Sequence, residues 1–146
     1  MLPLQVSPNN MKSRYELIYT SVMTTDTSIA EVADIARVSH RYNKHHDLAG
    51  LLLFDGERFC HYVEGEEAEV KALMRKIELD RRHENIVVRH EGVNPGPRLF
   101  PKWSMGYVLM RQGRRLDRFE GVSGFAAVEL LLELQDIWEI TWFDMG

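Results

Sequence analysis

Leu48-Ala49-Gly50-Leu51-Leu52-Leu53-Phe54-Asp55-Gly56-Glu57-Arg58-Phe59-Cys60-His61-Tyr62-Val63-Glu64-Gly65 reads as two strands joined by a tight turn. Residues 48–54 form a continuous apolar run, short and bounded by turn residues, which fits a strand buried on both faces. Asp55-Gly56 is a hairpin signal, because glycine takes the positive φ that such turns demand. Residues 58–64 then return as the partner strand. Period-two alternation places Phe59, His61 and Val63 on one face of it and turns Cys60 to the other.

The segments on either side complete a repeating order. Tyr15-Glu16-Leu17-Ile18-Tyr19-Thr20-Ser21 is rich in β-favouring residues and predicts a first strand, with Leu17, Tyr19 and Ser21 on one face. Thr24 to Thr27 make a polar break. Ser28-Ile29-Ala30-Glu31 has the capping-box spacing, and Ile29, Val32, Ala33 and Ala36 recur at helical intervals. The helix is expected to run through Ser39 to Asn43, and Asn43 extends its apolar stripe. Val70, Leu73, Met74 and Ile77 mark a second helix over residues 66–82. Residues 86–93 predict a fourth strand, Asn94-Pro95-Gly96-Pro97 breaks it, and residues 103–110 predict a fifth. The order βαββαβ plus one strand implies an α+β, ferredoxin-like sandwich with a five-stranded mixed sheet and two helices on one face. A third helix over residues 124–138, with an apolar stripe from Ala127 to Trp138, is expected to cover the other face. We divide the chain into an N-terminal arm (1–13), a domain (14–110) and a C-terminal helical extension (111–146).

A chain of 146 residues with 45% hydrophobic and 27% charged residues suits one globular domain. A net charge of −4, with no basic block, argues against a nucleic-acid partner. The single cysteine, Cys60, excludes an internal disulfide and a multi-cysteine metal site. No apolar run reaches the length of a membrane span, and no secretory leader is visible, so the cytoplasm is the expected compartment. The apolar tail (Ile140, Trp142, Phe143, Met145) needs burial, which makes a homo-oligomer the expected state.

On the face shared by Tyr19, His61, Trp103 and Met105, the polar groups need partners. A buried Asn, Tyr or His costs roughly 1–3 kcal/mol when unbonded. They could satisfy one another, or satisfy a planar ligand edge of alternating donors and acceptors. Alternatively, each ring has its body in the core and its polar tip at the edge. His45-His46-Asp47 lacks the i, i+4 spacing of a chelating pair, and a polar turn explains it better than a metal or acid–base enzyme does.

Six ordered motifs resemble the BLUF family of flavin-binding blue-light sensors. They are Tyr19-Thr20-Ser21; Ser39-His40-Arg41-Tyr42-Asn43; the 48–54 run; Phe59 with Val63-Glu64-Gly65; Asp80-Arg81-Arg82-His83; and Phe100-Pro101-Lys102-Trp103-Ser104-Met105-Gly106. The resemblance implies a non-enzymatic photosensor that binds FAD. It implies that Tyr19 donates an electron and that Asn43 bonds the flavin ring. Ile35 and Ser39 match positions beside the ring, and Asp80, Arg82 and His83 match positions near the ribityl and phosphate part. Trp103 and Met105 match a signal-relay pair.

One departure matters most. His61 stands where the family has a glutamine whose amide rearranges after illumination. An imidazole has no carbonyl oxygen and cannot reverse donor and acceptor in the same way, although it can relay a proton. Ala49 replaces a usual threonine, and Tyr42 stands where Asn or His is common. The resemblance therefore implies a FAD-binding domain with an altered or absent photocycle, signalling through a protein partner that the sequence does not name. The alternative is a flavin-free scaffold kept as a protein-interaction module.

Overall fold

The computed structural model describes residues 14–100, 104–110, 116–134 and 141–142. The elements are β1 (Arg14–Met23), α1 (Ile29–His45), β2 (Ala49–Phe54), β3 (Arg58–Gly65), α2 (Glu67–Glu78), β4 (His83–Asn94), β5 (Gly106–Leu109), a 3₁₀ turn (Leu116–Phe119), α3 (Phe125–Glu133) and β6 (Thr141–Trp142). They form one sheet in the order β4-β1-β3-β2-β5-β6. The first four strands carry the ferredoxin-like order, and β5 joins β2 in parallel, which makes the sheet mixed. The short β6, which the sequence reading did not anticipate, pairs antiparallel with β5.

Local chemistry explains most boundaries. Ser28 caps α1: the Glu31 N–H donates to Ser28 Oγ at 3.3 Å, and the Ser28 N–H donates to Glu31 Oε2 at 2.7 Å. The β2–β3 turn is tied by Asp55, whose Oδ1 accepts from the Glu57 and Arg58 amides at 2.9 and 2.7 Å. Gly56 takes φ +97° there, a conformation that favours glycine.

Three boundaries differ from expectation. Helix α2 stops at Glu78 rather than Arg82. The Asp80 carboxylate folds back on the Arg82 amide at 3.0 Å, and this competes with a further helical turn. That early stop lets β4 begin at His83 and pair along β1 as far as Met23. Strand β5 starts at Gly106, where pairing with Leu51 begins. The expected arm, Trp103, the end of the predicted third helix and most of the apolar tail lie outside the described residues, as does the basis of the expected oligomer.

Alternation divides the core between two faces of the sheet. Leu17, Tyr19, Val63, Leu73 and Met74 pack on one side, together with a neighbouring cluster of Val32, Ala36, Leu52, Phe59 and Met105. Ile18, Leu51, Leu53, Cys60, Tyr62 and Val108 cluster instead with Ala127, Leu130 and Leu131 of α3. Cys60 is thus turned away from His61, as alternation required. Among the described residues, no helix is long and apolar enough to cross a membrane. Leu131 is fully buried, whereas Leu132 is 38% exposed. Leu131→Ala should therefore cost about 2–5 kcal/mol and Leu132→Ala less than about 1 kcal/mol, read from urea unfolding midpoints.

Candidate functional site

The helix-covered face holds a cavity of about 180 Å³ between α1, α2 and the sheet. This is far more room than a single buried water needs. Strand β1 contributes Tyr19, and β3 contributes Phe59 and His61. From α1 come Ile35, Val38, Ser39 and Tyr42, spaced to share one helical face. From α2 come Leu73, Lys76 and Ile77, followed by Asp80 and Arg82 in the turn beyond it and by His83 at the start of β4. The cavity thus gathers Tyr19, Ile35, Ser39, His61, Asp80, Arg82 and His83 of the predicted residues. Sequence reasoning passed over Val38, Tyr42, Lys76 and Ile77. Their helical spacing to Ser39 and Asp80 was the available signal.

Tyr19 and His61 are register partners on adjacent strands, so their side chains emerge side by side. The Tyr19 hydroxyl lies 3.2 Å from His61 Nδ1, and the rings meet edge to face at 5.4 Å. Burial pushes the Tyr19 hydroxyl well above its ordinary range, so it keeps its proton. Burial, aided by nearby His83, pulls His61 down from 6.5 to about 4, so the imidazole is neutral near pH 7. The hydroxyl proton needs an acceptor, and Nδ1 supplies it. With the hydroxyl donating to Nδ1, the ring proton of His61 sits on Nε2, which is buried and has no hydrogen-bond partner among the described residues.

Asn43 presents the complementary atom. Its side chain is fully buried near the end of α1. Its Nδ2 donates to the Ser104 carbonyl at 2.7 Å, while its Oδ1 is buried without a partner among the described residues; Asn43 itself is not part of the cavity lining. Both residues approach Gly50. A methyl group at Gly50 would stand 3.4 Å from Asn43 Nδ2, 3.5 Å from His61 Nε2 and only 2.9 Å from the Tyr62 carbonyl. The steric conflict is with the Tyr62 carbonyl, so the absence of a side chain at position 50 lets β2 lie close against β3, while Asn43 and His61 stand at ordinary contact distance. The result is a donor from His61 and an acceptor from Asn43, each desolvated and each unpaired. Native proteins rarely leave such groups without a partner, and the pair suits a planar ligand edge that alternates a carbonyl with an N–H.

The other end of the cavity is charged and already internally paired. Arg82 donates to both oxygens of Asp80, at 2.9 and 2.7 Å, and the bonded guanidinium lowers the Asp80 carboxyl. Both nitrogens of His83 are used. One faces the Ile77 carbonyl at 2.8 Å and the other Ser21 Oγ at 2.7 Å. His83 therefore offers a ligand its ring face and not a free nitrogen. Lys76 lies over the Tyr42 ring, 5.5 Å from its centre. Met105 is buried on the same face as the cavity. His46 and Asp47 lie elsewhere: His46 stacks on Tyr42 and meets Glu69 at 3.0 Å, and Asp47 pairs with Arg98 at 3.3 Å.

The His61 environment has a measurable pH signature. A group held neutral in the fold, with its folded value below its unfolded value, leaves the unfolded chain binding more protons between about pH 4 and 6.5. Its stabilising contribution is complete above pH 6.5 and falls as the pH drops towards 4. Between about pH 7.5 and about pH 5, this group alone should remove roughly 2 kcal/mol of stability. Urea unfolding of the native chain and of His61→Gln at the two pH values isolates it: the variant should lose that part of the slope.

Comparison with known proteins agrees with this architecture. The profile of the BLUF family, described as sensors of blue-light using FAD, matches residues 15–106. The blue light- and temperature-regulated antirepressor BluF of Escherichia coli (strain K12) is 38% identical over 71 residues, which is 49% of this chain and 18% of that protein. The chain thus matches less than a fifth of that relative's length. Among solved structures, BlrB, a BLUF protein in its dark state, superposes with a TM-score of 0.61 at 26% identity, covering 88% of this chain and 90% of that one. BlsA in its ground state shares the fold with a TM-score of 0.70 at 23% identity, covering 91% and 94% of the two chains. With the greater part of its length matched, and with its sheet and helices arranged as in these structures, the chain belongs to the BLUF family.

Proposed function

We propose that this chain is a blue-light sensory domain that binds FAD and has an altered photocycle, because a histidine replaces an amide at the ring edge. The observation that carries the proposal is a pair of buried atoms without partners among the described residues: His61 Nε2, in the cavity lining beside Tyr19, and Asn43 Oδ1, on a side chain that approaches Gly50 together with His61. They fit the imide edge of a flavin, with Asn43 accepting from a ring N–H and His61 donating to a ring carbonyl. Ile35, Val38 and Leu52 offer apolar surface to the ring body. Lys76 and Arg82 stand where an anionic tail is best placed, and the Asp80 pairing of Arg82 moderates that attraction.

A bound flavin supplies the absorption of blue light and the acceptor for an electron. The rest falls to the protein. Tyr19 is the electron donor, and its hydroxyl proton has a ready receiver in His61 Nδ1, 3.2 Å away. A glutamine can exchange donor for acceptor by turning or by tautomerising. His61 has no such freedom. A proton arriving at Nδ1 leaves Nε2 still a donor. To become an acceptor, Nε2 must give up its proton while Nδ1 keeps the one that came from Tyr19, and once Tyr19 regains a proton the Nδ1–H then faces the hydroxyl instead of accepting from it. The buried site also disfavours imidazolium and so drives the proton back to Tyr19. The hydrogen bond offered to the ring therefore keeps its direction through the cycle. Output is proposed to pass to a protein partner, since the Escherichia coli relative is named an antirepressor.

The test is the absorption spectrum of the chain, incubated with FAD and desalted, before and after blue light. Retained flavin without a lasting red shift is the expected outcome, and His61→Gln should gain a red shift that recovers in the dark. A lasting shift in the native chain would overturn the altered photocycle. Failure to retain flavin would overturn FAD binding and favour an empty scaffold that acts through protein contacts.

A further inference from the structure

The opposite face of the sheet holds a second buried polar group that the flavin reading leaves unused. Glu16 and Glu64 are register partners on β1 and β3 and are 1% and 0% exposed. Arg14 pairs with Glu16 at 3.0 Å and with Glu64 at 3.4 Å. The Tyr62 hydroxyl lies 2.8 Å from Glu64 Oε1 and 3.2 Å from Glu16 Oε1. His90 Nε2 closes the network, 2.8 Å from Glu16 Oε2. Buried carboxylates persist only when their oxygens are well bonded.

The two carboxylates differ in what they hold. The bonds of Glu16 go to side chains of the sheet: Arg14, Tyr62 and His90. Glu64 also reaches main chain, with Oε1 accepting from the Leu99 amide at 2.8 Å and Oε2 from the Phe100 amide at 2.7 Å. Arg14 grips the same segment by donating to the Pro97 carbonyl. The Phe100 ring then packs edge-on to Tyr62 at 5.5 Å. Side chains of β1 and β3, rather than a neighbouring strand, thus strap residues 97–100 to the sheet.

Four residues beyond Phe100 comes Ser104, whose carbonyl accepts the Asn43 amide at 2.7 Å. Two residues after Ser104, β5 begins at Gly106 against Leu51. Four residues reach at most about 14 Å, so the strap at Phe100 and the pairing at Gly106 together limit where the Ser104 carbonyl can be. That carbonyl occupies the nitrogen end of Asn43 and so leaves Oδ1 as the end offered to a ligand.

We infer that Glu64 is a positioning residue: by holding the Leu99 and Phe100 amides it sets the Ser104 carbonyl against Asn43 and thereby fixes which end of that amide is bonded to main chain and which is left open. The functional end of this inference rests on the flavin reading, but the strap and the Asn43 orientation do not. The position requires a carboxylate. Four donors converge on it, from Leu99, Phe100, Tyr62 and Arg14, and an amide nitrogen would meet at least one of them donor to donor. Glu16 is the internal control, equally buried in the same network but without a bond to the strap.

The experiment compares Glu64→Gln with Glu16→Gln in the whole chain. Without flavin, Glu64→Gln should speed hydrogen exchange at the Leu99 and Phe100 amides by about tenfold over Glu16→Gln. It should also move the Asn43 side-chain amide resonance, which Glu16→Gln leaves in place. With FAD added, Glu64→Gln should displace the bound flavin's absorption bands as Asn43→Ala does, while Glu16→Gln keeps the native spectrum. Equal exchange in the two variants, or an unmoved Asn43 resonance, overturns the inference. A moved resonance with a native flavin spectrum overturns its functional half. If the native chain retains no flavin while the exchange and resonance changes appear, the strap stands and only the flavin reading falls. Should Glu64→Gln not fold, Glu64→Asp keeps the charge, shortens the reach and serves in its place.

Discussion

The antiparallel pairing of β1 with β3 is the constraint on which the rest of the structure depends. Its register sets Tyr19 opposite His61, Ile18 opposite Tyr62 and Glu16 opposite Glu64. Because side chains alternate, this one ladder builds a polar pair on each face of the sheet. Tyr19 and His61 face the helices α1 and α2, and Glu16 and Glu64 face away from them. A slip of one residue in either strand would turn that strand's carboxylate beneath the helices and part Glu16 from Glu64. The apolar residues between them guard against such a slip. Leu17 and Val63 belong to the helix side, whereas Ile18 and Tyr62 belong to the α3 side.

Burial then gives each polar pair its character. On the helix side the local environment is poor in charge. A tyrosine there holds its proton and a histidine loses its own, and the hydrogen bond between them has one favoured direction. Glycine at position 50 spares the Tyr62 carbonyl a clash, at a point of β2 that both Asn43 and His61 approach. On the other side two carboxylates share one arginine, one tyrosine hydroxyl and one histidine, and their remaining acceptor capacity is turned on the main chain at Leu99 and Phe100. The first arrangement leaves hydrogen-bonding capacity open, as a binding site needs. The second uses it to hold a segment in place. The two meet at Asn43, whose amide nitrogen is taken by Ser104 a few residues beyond that segment.

An imidazole at position 61 bears on what the site can do more than on how it is built. An amide has a carbonyl and an NH₂ of nearly equal shape, so it can exchange them within one volume. An imidazole carries its two nitrogens in fixed directions. Once the Tyr19 hydroxyl takes one of them, the role of the other is decided.

Much of the fold was legible in the chain itself, because the signals were local. Asp55-Gly56 marked the hairpin, Ser28 and Glu31 marked the start of α1, and alternation told which face Tyr19, His61 and Cys60 would share or avoid. The stripe on α1 even placed Asn43 inward. Other features depended on contacts between distant parts of the chain, and no local pattern announced them. The stop of α2 at Glu78 turned on an Asp80 carboxylate bending back to Arg82, which pattern alone read as more helix. The pairing of His83 with Ser21 and Ile77 left its ring without a free nitrogen, although the motif suggested a ligand-facing histidine. Glu16 and Glu64 read as ordinary strand carboxylates until the sheet buried them side by side. By itself, then, the sequence determined the elements and the faces, because propensity and periodicity act over a few residues. Only the tertiary structure decided which buried atoms were bonded and which were left open, because that depends on partners up to 83 positions apart, as Arg14 and Pro97 are.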